Sequence, residues 1–386
     1  MLPCQRNLFD IPRDVCWLNA AAWSPLPIAS RQAGEQGVLR KVHPWEMRPD
    51  DGSRQIERAR TAAARLINAD PQDVAVISSV SYGVATAGRI LPLPRGSRVL
   101  VLQDDHTSPV LEWMERTKNA GAELEIVRRP ADGDWTEAVL AAISRAGAAS
   151  LAVVSISSVH WSDGGLIDLE RVVPAVRRAG AAIVIDATHA AGVMPLDVGL
   201  LDPDFLIFPT YKWVLGPYGR AFLYVAKRWQ NGTPLEQTSA GRRGVSTEAA
   251  PYIHDAAYVS NASRFDMGER DIFITLEMAA IGMELMDSWG SPAITGRLLM
   301  LTRRLAEGLR ESGVAIPAER VRAPHVLSLG FPQGMPADLP QQLAEQKVFA
   351  SPRLGRLRIS PHVYNDEEDV DRFVAAFRPT YTVASQ

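Results

Sequence analysis

The sequence predicts an α/β protein: a large domain on a mostly parallel sheet sandwiched by helices, followed by a smaller α+β domain. Strand-like apolar runs recur at residues 73–77, 98–102, 123–127, 150–156, 181–185 and 204–208. Helix-patterned segments at 108–120, 134–146 and 168–179 separate most of them, and Gly121, Gly147 and Gly180 follow as stop signals. Beyond about residue 260 the rhythm changes to two long helices at 272–289 and 295–312, then strand (326–331), helix (339–346), strand (356–359) and helix (367–377).

Taken in order, residues 1–22 read as an N-terminal arm, 23–258 as the large domain and 259–386 as the small one. The stretch CWLNAAAWSPLP at 16–27 is broken by prolines and reads as extended. Residues 53–68 place Ile56, Ala59, Ala63 and Leu66 at helical spacing, with Ser53 as the candidate cap. Strand, helix, strand at this spacing implies right-handed crossovers, so binding residues are expected in loops leaving the strands' carboxyl ends.

Composition narrows the function classes. The 386 residues are 46% hydrophobic and 22% charged, with a net charge of -3. That balance supplies no basic field for nucleic acid or an anionic membrane, leaving small molecules and proteins as partners. Cys4 and Cys16 are the only cysteines, so neither a disulfide framework nor a thiolate metal cluster is expected, and no metal site is assigned. No apolar run reaches signal-peptide or membrane-spanning length, and a soluble cytoplasmic protein is the expectation. The first strand turn lacks G-x-G-x-x-G and no Walker A pattern occurs, which argues against a nucleotide-binding oxidoreductase.

Candidate chemistry sits at successive strand ends. Ser78-Ser79-Val80-Ser81-Tyr82-Gly83 follows the first strand and opens a helix, so hydroxyls and free amides converge as an anion site or, equally, as a plain serine cap. His106 follows the second strand, where a histidine stacks on a planar ring, moves a proton, or does neither. Asp186 ends a buried apolar run, and a carboxylate there needs a cation, a metal or a helix end; a protonated heterocyclic nitrogen is one such partner. His189 lies three residues on. Lys212 leaves the strand at 204–208 between Tyr211 and Trp213, ahead of the turn Gly216-Pro217-Tyr218-Gly219. Partly apolar surroundings favour its neutral amine, the form that attacks a carbonyl to give a Schiff base, although a lysine taken alone is more often a surface residue.

An anion cup, a histidine, a buried aspartate and a lysine in this order match the parts of pyridoxal 5'-phosphate. The order and the segments YKWVLGPYG and IVIDATHAAG resemble fold-type I pyridoxal-phosphate enzymes of the class V aminotransferase group, which includes cysteine desulfurases, kynureninase and isopenicillin N epimerase. The resemblance runs from LNAAAWSP at Leu18 to RISPHVYNDEEDVD, ending at Asp371. It implies a homodimer acting on an amino acid. By that likeness Lys212 is the Schiff-base lysine, Asp186 the pyridine-nitrogen partner and His106 the residue over the ring. Ser81, Tyr82 and Thr210 fall at the phosphate, and His189 stands where the family usually has a glutamine near the ring hydroxyl. Arg358 corresponds to the arginine for the substrate α-carboxylate, with an ion-paired strand arginine as the alternative. Trp161 stands where desulfurases tend to have asparagine, at the substrate. Arg270 is placed either at a neighbouring subunit's phosphate or in an intrachain salt bridge.

The segment EQKVFASPRLGRLRIS at 345–360 contains no cysteine, where a desulfurase carries its mobile nucleophile. Transamination is therefore expected first, with racemisation, epimerisation or β/γ-elimination as alternatives and a non-catalytic cofactor-binding protein ranked last. His106, His160 and Tyr211 are candidate second acids, and Trp23, Trp45, Tyr82 and Trp161 candidate pocket walls.

Overall fold

The computed structural model describes residues 2–245 and 256–380, with side chains as far as Arg378. A short strand β1 (Cys16–Trp17) precedes helices α1 (Ile28–Val42) and α2 (Asp51–Leu66). An alternating block follows: β2 (Val74–Ile77), α3 (Val80–Ile90), β3 (Arg98–Leu102), α4 (Thr107–Ala120), β4 (Glu123–Val127), α5 (Trp135–Ile143), β5 (Leu151–Ser157), α6 (Leu169–Arg178), β6 (Ala182–Asp186), α7 (Val198–Leu201), β7 (Phe205–Pro209) and β8 (Ala221–Val225). The remainder comprises α8 (Phe273–Trp289), α9 (Ser291–Gly308), β9 (Leu327–Gly330), α10 (Leu339–Glu345), β10 (Val348–Phe349), β11 (Ser351–Arg353), β12 (Arg356–Ile359) and α11 (Glu367–Thr380).

Seven strands form the central sheet in the order β2-β8-β7-β6-β5-β3-β4. The five from β7 to β4 are parallel, while β8 runs antiparallel to both β2 and β7. Strand alternation divides the core. Val74, Val76, Ile183, Ile185, Leu206 and Phe208 join one apolar cluster, whereas Ala75, Ile77, Ala182, Val184, Phe205 and Ile207 join the other. Both faces are therefore covered, which is why these strands are apolar throughout. Within this sheet the edge strand β4 is the one with exposed residues, at Glu123 and Ile126.

Four local features depart from the sequence reading. β8 is an additional strand, inserted where apolar patterning alone cannot give strand direction. α1 is a helix with weak amphipathic pattern, held by packing against α8. α2 begins at Asp51 rather than at a Ser53 cap, and the Ser53 hydroxyl instead donates to the Asp50 carbonyl at 2.9 Å. α9 starts four residues earlier than its apolar spacing suggested, because Gly290 closes α8 and Pro292 occupies the first turn of α9, where no amide is required. The extended arm is tied down: β1 pairs in parallel with β10, and Asn19 bridges Ser360.

Two contacts position the segment that follows β7. α8 packs on α1 and α2, and its Gly282 lies against the backbone carbonyls of Val214 and Leu215, leaving no space for a Cβ. Leu215 itself is held in the left-handed region at φ 58. The loop carrying Lys212 is thus pressed between a helix backbone and the sheet. Gly282→Ala is expected to lower unfolding free energy by about 1–3 kcal/mol through overpacking against this loop. Urea denaturation monitored by tryptophan fluorescence checks it.

Candidate active site

The carboxyl ends of β2, β3, β5, β6 and β7 open on one cavity of 310 Å³, lined by Ser79, Ser81, His106, Asp186, His189 and Lys212 among others. The sequence therefore nominated groups that the fold brings together. A second cavity of 470 Å³ shares His106, Trp161, Tyr211 and Lys212 with it and adds Arg353 and Arg358.

Lys212 is buried, with its Nζ 3.5 Å from His189 Nε2. Burial, helped by the nearby Arg358 charge and opposed by Asp186, brings its amine down to about 7. His189 is also buried, and burial followed by the Lys212 and Arg358 charges keeps it well below the ordinary histidine range, so the ring is neutral. Its Nδ1 accepts a hydrogen bond from Trp213 Nε1 at 2.9 Å. An indole N–H only donates, so the neutral imidazole carries its proton on Nε2, the nitrogen facing Lys212. Trp213 is itself enclosed by His325 and His362, whose Nε2 atoms lie 2.7 Å from the His189 carbonyl and 3.0 Å from the Trp213 carbonyl.

Asp186 closes β6 with one carboxylate oxygen occupied. The Thr188 amide donates to Oδ1 at 2.9 Å and the Thr188 hydroxyl donates to the same oxygen. No group among the described residues hydrogen-bonds Oδ2. His106 caps α4, and burial followed by the Lys212 charge lowers its pKa. Beneath it Asp105, which sequence reasoning passed over, accepts hydrogen bonds from the His106 amide at 2.7 Å and from the Ser157 hydroxyl at 2.7 Å. This pins the His106 loop to the end of β5.

At the other end of the cavity α3 begins. The Ser79 hydroxyl accepts from the Tyr82 amide at 3.1 Å, while Ser81 Oγ and Ser108 Oγ lie 3.0 Å apart. Arg220, also absent from the sequence reading, lines the cavity and is almost wholly buried. Its Nε donates to the Thr275 hydroxyl at 2.8 Å, and its Nη2 has no partner among the described residues. Burial lowers it to about 10. A buried guanidinium nitrogen without an acceptor is costly unless a ligand supplies one.

Several expectations are corrected. Thr210 does not line the cavity; its hydroxyl donates to the carbonyls of Pro217 at 2.5 Å and Arg220 at 3.2 Å, stitching the turn shut. Tyr82 does not line it either: its side chain packs into the apolar layer under α3, and only its amide is at the helix start. Arg270 forms the intrachain salt bridge, to Asp266, which also holds the buried Arg60 at 2.8 Å. His160 is buried away from the cavity, stacked on Trp135 at 4.8 Å and bonded to the Gln103 carbonyl, so it is no second acid. Of the four candidate wall aromatics only Trp161 lines the site; Trp45 is 76% exposed and Trp23 packs edge-on against Tyr218.

The Lys212 shift has a consequence for the ligand-free protein. The unfolded chain holds this proton up to the ordinary 10.5, and the folded chain only to about 7. The penalty is complete at or below pH 7 and vanishes as pH rises toward 10.5. Lys212→Met is accordingly expected to be more stable than the wild type near pH 7, with the difference shrinking toward pH 10, as measured by denaturant titrations across that range.

Comparison with known proteins agrees with this architecture. A probable cysteine desulfurase of Pyrococcus abyssi is 27% identical over 389 residues, covering 95% of this chain and 94% of the relative. An isopenicillin N epimerase of Streptomyces clavuligerus is 26% identical over 375 residues, covering 93% of each. The fold matches that of a cysteine desulfurase from Thermococcus onnurineus with a TM-score of 0.85 at 22% identity, covering 99% of both chains. Residues 38–373 match the family described as Aminotransferase class-V. The chain belongs to that family and is a pyridoxal-phosphate-dependent enzyme.

Proposed function

We propose that the protein is an aminotransferase acting at the Cα of an amino-acid substrate. The observation that carries this is the buried Lys212 amine, brought down to about 7 by burial, with the Asp186 carboxylate and the Arg358 guanidinium as its charged neighbours.

The residues present fit the cofactor. Asp186 Oδ2 is free to accept one ring N–H, the Nε2–H of neutral His189 is a donor for a ring oxygen, and His106 lines the same cavity. For the phosphate, the first amides of α3, the Ser81 and Ser108 hydroxyls and the unpartnered Arg220 Nη2 form a cup of donors. Lys212 is the residue for covalent attachment. When bound, pyridoxal phosphate supplies the electron sink that acidifies the substrate's Cα–H.

The chain's own groups do the rest. Arg358 is almost wholly buried, donates to the Trp161 carbonyl and keeps an unpartnered Nε, a donor set suited to the substrate α-carboxylate. Lys212 Nζ takes the Cα proton and holds it as an ammonium beside Asp186. Its amine, brought down to about 7, is a base matched to neutral pH. Burial drives the Tyr211 phenol above its ordinary range and both His106 and His189 below theirs. Transamination needs one base at Cα, which Lys212 supplies.

Elimination of a side-chain group uses the same base and is the second reading, favoured by the similarity to a probable cysteine desulfurase. A persulfide route is not supported. Cys4 Sγ donates to the Tyr364 carbonyl and Cys16 Sγ to the Asp369 carbonyl, and neither lines the cavity. Incubation with amino acids and a keto-acid acceptor, with products identified by mass spectrometry, separates the readings. Amino transfer to the acceptor is expected, and release of ammonia with loss of the side-chain group would replace transamination by elimination. Lys212→Ala should abolish the visible absorption of lysine-bound cofactor and nearly all turnover; full activity in that variant would overturn the assignment.

Arg220→Met is expected to weaken pyridoxal-phosphate retention at least tenfold while leaving pyridoxal, which lacks the phosphate, nearly unaffected. Equilibrium dialysis with each compound measures the difference.

A further inference from the structure

The second cavity contains a cation that the proposed mechanism leaves unused. Arg353 ends β11 and Arg356 begins β12, joined by the two-residue turn Leu354-Gly355. Both turn residues have positive φ, 48 for Leu354 and 76 for Gly355. That is the turn whose twist suits a tight hairpin, but a leucine in the left-handed region is strained. The Leu354 side chain gains no burial in return, being 59% exposed at the cavity mouth. Strain of this kind at a ligand-facing turn is a positional device.

What the hairpin positions is Arg353. In the antiparallel register Ser351 faces Arg358 and Arg353 faces Arg356. Opposed residues share a face, as do residues two apart, so Arg353 and Arg358 project from the same side. Both line the second cavity together with Lys212. Arg353 is half-buried, its only hydrogen bond among the described residues is to the Pro352 carbonyl at 2.7 Å, and no described carboxylate pairs with it. Arg358 likewise has no acidic partner among the described residues. Arg129 is different: it is paired with Asp163. Two neighbouring guanidiniums in one cavity repel each other, and burial followed by the Arg353 charge pulls Arg358 down to about 9.

Trp161 organises the pair. Its carbonyl accepts from Arg358, its indole N–H donates to the Asp104 carbonyl at 2.7 Å, and its ring lies 5.8 Å from the Arg353 guanidinium and 6.0 Å from the His106 ring. The α3 cup belongs to the first cavity alone, so these arginines are not part of the phosphate site.

We infer that Arg353 is a second anion site, and that the substrate is a dianionic amino acid whose side-chain anionic group binds Arg353 while its α-carboxylate binds Arg358. This rests on the reading of Arg358 as the α-carboxylate site. It excludes no leaving group and no acceptor, but it selects acidic side chains over neutral and basic ones.

The test is calorimetric binding of unreactive acids to the protein loaded with pyridoxal phosphate, using butyrate, glutarate and 4-sulfobutyrate as probes. Glutarate or 4-sulfobutyrate should bind at least tenfold more tightly than butyrate, and comparison of the two tells a carboxylate preference from a sulfonate one. Arg353→Gln should bring the diacid to within about twofold of butyrate while leaving butyrate itself within about twofold of the wild type. Arg353→Lys should restore part of the diacid advantage. Equal affinities for all three probes in the wild type would overturn the inference, as would an Arg353→Gln variant that weakens butyrate and glutarate equally. The visible band of bound cofactor is recorded in the same samples. Its absence would count against the cofactor site, whereas a normal band without discrimination among the acids would sink only the second anion site.

Discussion

Removing one amine from water is the constraint on which this site depends. The Lys212 amine is brought down to about 7 chiefly by burial, and burial at the end of a strand is not a local property. It requires β7 to be enclosed on both faces, the turn after it to be tied shut by the Thr210 hydroxyl, and α8 to press its glycine face onto Val214 and Leu215. The same enclosure keeps His189 uncharged, which removes a competing cation from beside the amine. A charged histidine 3.5 Å away would depress the lysine further and offer the wrong protonation pattern.

Around that amine the polar groups are arranged by what they leave unused. Asp186 spends one oxygen on Thr188 and keeps the other, His189 spends Nδ1 on Trp213 and keeps Nε2–H, Arg220 keeps Nη2, and Arg358 keeps Nε. Buried polar groups are ordinarily satisfied, so this spare capacity at one pair of cavities suits a ligand that brings complementary donors and acceptors. Trp213 and Trp161 are the organising aromatics. One sets a tautomer, and the other holds two guanidiniums by its carbonyl and its ring.

The cysteine-free segment 345–360 contains a tight two-residue hairpin, and this bears on chemistry as well as shape. A loop that delivers a nucleophile must move, whereas Arg353 to Arg356 is fixed in an antiparallel ladder with β9 beyond it. The segment offers a charge carried on a hydrogen-bonded ladder. Recognition rather than group transfer is what such an element can do.

Much of this was written in the chain's local order. Buried parallel strands are apolar throughout and end abruptly, so Asp186 and Lys212 stood out as polar groups terminating apolar runs, and Ser79 announced the start of α3. Those signals are local because a strand end and a helix cap are short-range events. Long-range pairing decided the rest. Arg220 reads as an ordinary residue after a turn until β8 folds back antiparallel between β2 and β7 and buries it in the same cavity as Ser79 and Ser81. Arg353 looks like surface until the hairpin sets it on the same face as Arg358. Thr210 and Tyr82 lie near the right elements but point elsewhere, because sequence spacing gives proximity to a site and not the direction of a side chain. Residue order determined the fold class and the chemistry at the strand ends; only the tertiary structure decided which unpaired charges face the ligand, since an ion pair is made or left open by residues far apart in the chain.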